Sequence, residues 1–357
     1  MKVRAAVTEG DGSFSIETIE INSPGHREVL VDLKASGVCH TDWDSLRWKK
    51  RLIVGHEGAG RVLAAGHGVS RFSAGDRVML NWAIPCGACF QCRHGKESIC
   101  EERGSVPDER FHCHRGPLNA SFGLGTMATH AMVPEAAVVK LDPGVPYEVA
   151  AIMGCAVMTG FGSAVNAAQV AEGSVVVVLG CGGVGLSAIL GSRYRKAGRI
   201  IAVDVNPVRL EMAKQFGATE ILLADRNDKG LAEAAREVRR RNEGRGADCA
   251  FECTAVAELG AAPLAMVRNG GTAIAVSGIE EVVPVDMELF EWDKIYINPL
   301  YGGCRPARDF PLLMDLYLKK QLPLDAMVTR TYSLDALGQA FHDMHAGINA
   351  KGVLVLE

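Results

Sequence analysis

The stretch SVVVVLGCGGVGLSAILG (174–191) constrains the fold more than any other part of the chain. Its run VVVVL (175–179) predicts a strand with both faces buried. Gly180, Cys181, Gly182, Gly183, Val184 and Gly185 then spell G-x-G-x-x-G, and a helix-length segment follows. Asp204 lies 19 residues after Gly185 (204 − 185), at the end of the next apolar run, RIIAVD. Strand, glycine turn, helix, strand and acid in this order form a dinucleotide-binding fingerprint. Gly180 permits the tight turn, Gly182 lets backbone approach a pyrophosphate, and Gly185 allows close helix–strand packing. The helix N-terminus presents free N–H groups to the phosphates. Asp204 accepts hydrogen bonds from a ribose 2′-OH and repels a 2′-phosphate, which predicts NAD(H) rather than NADP(H).

From 175 to 278 short apolar runs alternate with helix-length segments, which predicts a parallel sheet covered on both faces. Residues 1–150 instead carry short β-type runs (KVRAAV, EVLVDLKAS, GRVLAAG, DRVML, HAMVP, AAVVKL) broken by Gly, Pro and Asp, and predict a largely antiparallel β domain. The tail from about 300 has one helix candidate, FPLLMDLYLKK, and a closing strand, and is expected to rejoin the first domain. A length of 357 residues suits two domains. Net charge is −4, which argues against a nucleic-acid or membrane-surface binder. REVRRRNEGR (236–245) reads as a solvated helix face. The N-terminal segment shows no export signal, so the 11 cysteines point to metal ligands or buried thiols in a reducing cytoplasm rather than to disulfides.

Cys86, Cys89, Cys92 and Cys100 follow C-x2-C-x2-C-x7-C. Four thiolates at this spacing suit a closed, structural tetrahedral Zn²⁺ site. An iron–sulfur cluster is the rival reading, and disulfides or a redox C-x-x-C pair are weaker ones. Cys39 in GVCHTD, His56 in GHEG and Cys155 in GCAVMTGFGSA are each ordinary in isolation.

Taken in order, GVCHTD, GHEGAG, the four-cysteine run, GC…TGFGSAV, GCGGVG and VDVN resemble the zinc-dependent medium-chain alcohol dehydrogenases from end to end. LNWAIPCGAC and LYGGCRPARDFPLLMDLYLKKQLPL resemble most the bacterial aryl-alcohol and thiol-dependent formaldehyde dehydrogenases. The resemblance implies an α/β protein: a β-rich GroES-like catalytic domain (1–156 and 300–357) with a structural zinc lobe (86–100), and a Rossmann doubly wound parallel sheet (157–299) that binds NAD. It implies a catalytic zinc on Cys39, His56 and Cys155, with an open position for the alcohol. Two thiolates and a neutral imidazole leave such a site near zero net charge, so the metal remains a Lewis acid.

The family pattern also implies Glu57 as a transient ligand or a buried paired carboxylate, and Asp42 as the group that orients His56. It places Thr41 in proton relay, His40 and Lys351 near cofactor phosphate, Thr159 beside the nicotinamide, and Arg209 near the adenosine ribose. Asp44 stands where some members carry a relay histidine, so Asp44, His40 and water are alternative routes of proton exit. Cys39 and His56 are 17 residues apart (56 − 39), a shorter interval than in familiar members. Trp82 leads the candidates for the pocket wall, followed by Trp43 and Trp48. The run Lys49, Lys50, Arg51 suits an anionic or thiol-adduct substrate, or is a solvated loop. The expected reaction interconverts an alcohol (primary, aromatic or medium-chain) and its aldehyde or ketone with NAD, in a homodimer or homotetramer. The alternative is a thiol-dependent formaldehyde dehydrogenase. A zinc-ribbon nucleic-acid binder and a non-catalytic nucleotide-binding relative fit less well, because the charge opposes the first and no ligand is missing for the second.

Overall fold

Runs of β-branched residues set two separate sheet systems. The computed structural model describes residues 1–102, 110–113 and 116–357. The chain divides into one unit of Met1–Cys155 with Arg305–Glu357 and a second of Ala156–Cys304.

The second unit holds a six-stranded parallel sheet. Its order is Glu220–Leu223, Arg199–Asp204, Val175–Leu179, Ala247–Glu252, Val267–Ala275 and Ile295–Ile297. Val176, Val177 and Val178 are fully buried, as a strand covered on both faces requires. The strand order reverses between Val175–Leu179 and Ala247–Glu252, and in such sheets ligands bind beyond the carboxyl ends of the strands at this switch. The sixth strand was not legible in the sequence, because three residues carry no measurable period. Helix Ala232–Arg241 holds the basic cluster, where Arg240 and Arg241 pair with Glu237 along an ion-paired surface. The helical run Tyr147–Ala167 is long and apolar enough to cross a membrane, but most of it is buried, as in a core helix.

In the first unit a small closed barrel is made by Lys2–Thr8, Ser15–Ile21, Phe111–Cys113, Gly116–Ala120 and Leu52–Ile53. A second sheet runs in the order Val138–Lys140, Arg77–Leu80, Gly58–Ala65, Glu28–Gly37, Lys351–Val355 and Val328–Tyr332, and His130–Pro134 also pairs with Glu28–Gly37. The long strand Glu28–Gly37 organises this sheet. Its end pairs antiparallel with Lys351–Val355 (Val353 opposite Gly37), so the chain terminus reaches the segment that precedes Cys39. Strand Ser15–Ile21 sets Ile16, Ile19 and Ile21 among polar residues but was hidden by its two glutamates and by the adjacent polar pair Glu17 and Thr18.

In the second unit, helix Met158–Gly162 packs on helix Gly183–Tyr194 through Gly160, where an added Cβ would lie 2.1 Å from the Val184 carbonyl oxygen. Gly160→Ala is therefore expected to destabilise the protein by about 1–3 kcal/mol, the usual cost of overpacking, read as a lowered unfolding midpoint in denaturant.

Candidate metal centres and nucleotide site

Cys39 ends an extended segment and caps the short helix His40–Ser45, which turns Asp42 inward to full burial. One Asp42 oxygen accepts the Cys39 backbone N–H at 3.1 Å, and the other meets His56 Nδ1 at 2.7 Å. Asp42 thus holds a proton on His56 Nδ1, and Nε2 faces Cys155 Sγ at 3.3 Å. Cys155 lies on a π-helical turn, Met153–Val157, inside the long helical run. Such turns often mark functional sites. The donor atoms of Cys39, His56, Glu57 and Cys155 all lie within 4.8 Å of one another.

Glu57 is fully buried. Its Oε1 accepts a 2.6 Å bond from Lys351 Nζ, which also donates to the Val38 carbonyl at 2.8 Å. Its Oε2 has no partner among the described groups. A buried carboxylate oxygen left open beside two sulfurs and an imidazole nitrogen is a donor set suited to a divalent ion. The two readings of Glu57 thus converge, since one oxygen is paired and the other free to ligate. Gly37 was not singled out in the sequence, yet a Cβ there would fall 1.9 Å from Glu57 Oε2. Its signal was a glycine two residues before a candidate ligand.

Each group of this cluster sits in the field of its neighbours. Cys39 is held well below the usual thiol range by a hydrogen bond from Cys155 and by His56, despite burial. Cys155, which donates that bond and is buried, is raised well above it. Burial opposes a charged His56, but the Asp42 carboxylate overrides it and raises the imidazole well above its ordinary value. Burial, opposed by Lys351, lifts Glu57 to about 7.

Aromatic side chains crowd one side of His56. Phe122 lies 5.0 Å from it, centroid to centroid, and Trp82 lies 6.4 Å away. Trp82 and Trp48 both meet Phe122 edge-on, at 5.2 and 5.7 Å. Phe122 was missed in the sequence. It adopts a left-handed backbone (φ 51°, ψ 23°), a conformation that costs a bulky residue about 1–3 kcal/mol. Trp43 is placed elsewhere: it packs on Phe341 and His345, with Arg47 over its ring at 5.0 Å. The cause is helix geometry, since Trp43 follows the inward-turned Asp42 and faces helix Leu337–His345. Thr41 is half-buried, while His40, Asp44, Lys49 and Lys50 are exposed and Arg51 pairs with Glu9. Lys351 also departs from expectation, because its buried ammonium is committed to Glu57 and Val38 rather than presented to a phosphate.

The second cluster comes from local chain. Cys86, Cys89, Cys92 and Cys100 bring their sulfurs within 4.8 Å. Backbone N–H groups of Ala88 and Cys89 point at Cys86 Sγ, at 3.3 and 3.2 Å, and that of Cys86 points at Cys100 Sγ at 3.3 Å. Such donors stabilise thiolates. Cys89 falls to about 6, led by the backbone N–H of Cys92, while burial pushes Cys92 to about 12. Cys89 and Cys100 sulfurs are 3.8 Å apart, too far for a disulfide. Arg93 and Lys96 are exposed, as expected for a lobe.

In the second unit, Gly180 takes φ +83° and Gly182 caps helix Gly183–Tyr194. Nothing lies within 4 Å of a Cβ built on Gly182, whereas one on Gly185 would strike the Gly180 carbonyl at 1.8 Å. The middle glycine is thus open to a ligand and the last is required for packing. Asp204 accepts the N–H groups of Cys181 (2.7 Å) and Asn206 (2.8 Å), which fixes its carboxylate beside the turn. Arg209 is half-buried, and its Nε is enclosed without a hydrogen-bond partner. Thr159 is half-buried, and its carbonyl accepts from Ser163 Oγ.

Residues 25–143 match the family model of the alcohol dehydrogenase GroES-like domain, and residues 183–319 that of the zinc-binding dehydrogenases. The chain is 32% identical to S-(hydroxymethyl)glutathione dehydrogenase of Haemophilus influenzae, over 99% of this chain and 97% of that protein. It is 34% identical to putative alcohol dehydrogenase D of Mycobacterium tuberculosis, over 99% and 100%. Benzyl alcohol dehydrogenase from Acinetobacter calcoaceticus has a similar structure, with a TM-score of 0.88 at 30% identity, covering 100% of both chains.

Asp42→Asn weakens the orienting bond to His56, and is expected to lower zinc affinity at the Cys39 cluster by about 10–100-fold, the usual loss when such a partner is removed, read by competition with a chromogenic chelator. Zinc entering this cluster would have to displace protons from Cys155 and His56, which are raised above their ordinary values. Affinity at this cluster should therefore fall steadily as pH is lowered, in the same titration.

Proposed function

Because the chain belongs to the zinc-dependent medium-chain alcohol dehydrogenases, we propose that Cys39, His56 and Cys155 hold a catalytic zinc at which an alcohol is oxidised by NAD, and that Cys86, Cys89, Cys92 and Cys100 hold a structural one. The observation that carries this reading is the gathering of the first cluster's donors within 4.8 Å, with Asp42 holding His56 Nδ1 so that Nε2 faces the other donors. When bound there, zinc supplies Lewis acidity that lowers the pKa of an alcohol. The residues of the chain do the rest. Asp42 fixes the imidazole tautomer, and Lys351 holds one oxygen of Glu57 while the other faces the donor set. Thr41 takes the hydroxyl proton outward, and exposed His40, Asp44 or water passes it to solvent. Gly180, Gly182, Gly183, Val184 and Gly185 seat the pyrophosphate, Asp204 and Arg209 the adenosine ribose, and Thr159 borders the nicotinamide.

The substrate reading is an aromatic or medium-chain primary alcohol. It is supported by the wall of Trp48, Trp82 and Phe122 beside His56, whose edge-on rings suit a flat apolar group. The curated relative named for S-(hydroxymethyl)glutathione and the basic run Lys49 to Arg51 favour a second reading, oxidation of a formaldehyde–thiol adduct. Thiolate ligands need a reducing compartment, which supports the cytoplasm. Exposed apolar residues Val282, Met287, Trp292 and Ile295, near the edge strand Ile295–Ile297, support a homodimer or homotetramer.

A panel of benzyl alcohol, hexanol, ethanol, and formaldehyde with and without glutathione, each with NAD or NADP, is expected to give NADH with the alcohols and little NADPH. Formaldehyde oxidation that appears only with the thiol, and exceeds the alcohol rates, selects the second reading. Cys39→Ser should abolish alcohol-dependent NADH formation and reduce bound zinc from two to one per chain by metal analysis; an active protein with one zinc overturns the assignment. Phe122→Gly removes the ring and suits the left-handed backbone. Its ratio of kcat/KM for benzyl alcohol over ethanol should fall about tenfold or more, the scale of one apolar pocket contact, without loss of thermal stability.

A further inference from the structure

Glu252 is a fully buried carboxylate at the carboxyl end of strand Ala247–Glu252, beside the switch in strand order. No arginine or lysine forms an ion pair with it among the described residues. Hydrogen-bond donors surround it instead. Its Oε1 accepts Thr254 N at 2.5 Å, Thr254 Oγ1 at 2.6 Å and Ala255 N at 3.1 Å. Its Oε2 accepts the hydroxyl of Ser277, which follows the next strand, Val267–Ala275. Ser277 Oγ in turn accepts Ala255 N at 3.0 Å. One carboxylate therefore ties together the loops that leave two adjacent parallel strands.

This knot sits against the glycine turn. A Cβ on Gly180 would lie 2.9 Å from both the Cys253 carbonyl oxygen and Thr254 Cγ2. Ala255 takes a left-handed backbone (φ 58°), a conformation the surrounding hydrogen bonds must hold. Asp204 ends the strand on the other side of Val175–Leu179, so an adenosine ribose held there places the other half of a dinucleotide over the Glu252 and Ser277 loops.

We propose that Glu252 is a positioning residue for the nicotinamide half of the cofactor, acting by fixing the 253–256 and 277 loops as one rigid surface beside Gly180. It touches neither the cofactor nor the substrate. The inference rests on the dinucleotide reading of the glycine turn. A buried carboxylate that bridges two binding loops is costly to leave unpaired and is replaced poorly by an amide, whose NH2 cannot accept these donors.

The test compares binding of NADH and of AMP to the zinc-loaded full chain by calorimetry. AMP reports only the adenosine half. Glu252→Gln should weaken NADH about 10–100-fold, the scale expected when a bound group is displaced by an ångström, with AMP affinity and zinc content unchanged. Ser277→Ala should move NADH in the same direction by less, and serves if the Gln variant does not fold. Unchanged NADH affinity in the folded variants overturns the proposal, as does equal weakening of AMP and NADH. Wild-type protein that binds neither ligand would instead overturn the dinucleotide reading.

Discussion

The hydrogen bond between Asp42 and His56 is the interaction on which the cluster of Cys39, His56, Glu57 and Cys155 depends. It joins two fully or nearly fully buried groups, and a lone carboxylate in that setting would be very costly. The same carboxylate takes the backbone N–H of Cys39, so one side chain orients the His56 ring and fixes the Cys39 backbone. The short helix His40–Ser45 carries Asp42 in its first turn, inward and fully buried.

A second buried pair, Glu57 with Lys351, joins residues 294 apart in the chain. It makes the C-terminal strand part of the site rather than an ornament of the sheet. Removing either partner leaves an uncompensated charge in the interior, so the pair constrains the cluster more than it adds to net stability. Gly37 completes the constraint by leaving space for the carboxylate.

Much of this was legible in the sequence because the deciding features are local. The glycine turn, five of the six parallel strands and the four-cysteine spacing are each written in a few contiguous residues. Asp42 was legible because it shares a motif with Cys39. What stayed hidden depends on contacts made after folding. Phe122 reaches His56 only through a left-handed turn, which no residue type in SFGLG demands of a phenylalanine. Trp43 turns toward Phe341 because its neighbour Asp42 turns inward. Glu252 reads as an ordinary strand end until the loop carrying Ser277 closes on it.

The two cysteine-rich clusters differ in the distance along the chain over which they are assembled. Cys86 to Cys100 closes loops of at most 14 residues, whereas His56 and Cys155 meet across 99. The entropy of closing a loop grows with its length, and distant contacts form late in folding. The lobe can therefore gather its thiolates as soon as its own segment leaves the ribosome. The other cluster waits for the sheet, and Glu57 waits for the last residues of the chain. The four-cysteine cluster is thus a local feature of the chain and the other a product of the finished fold.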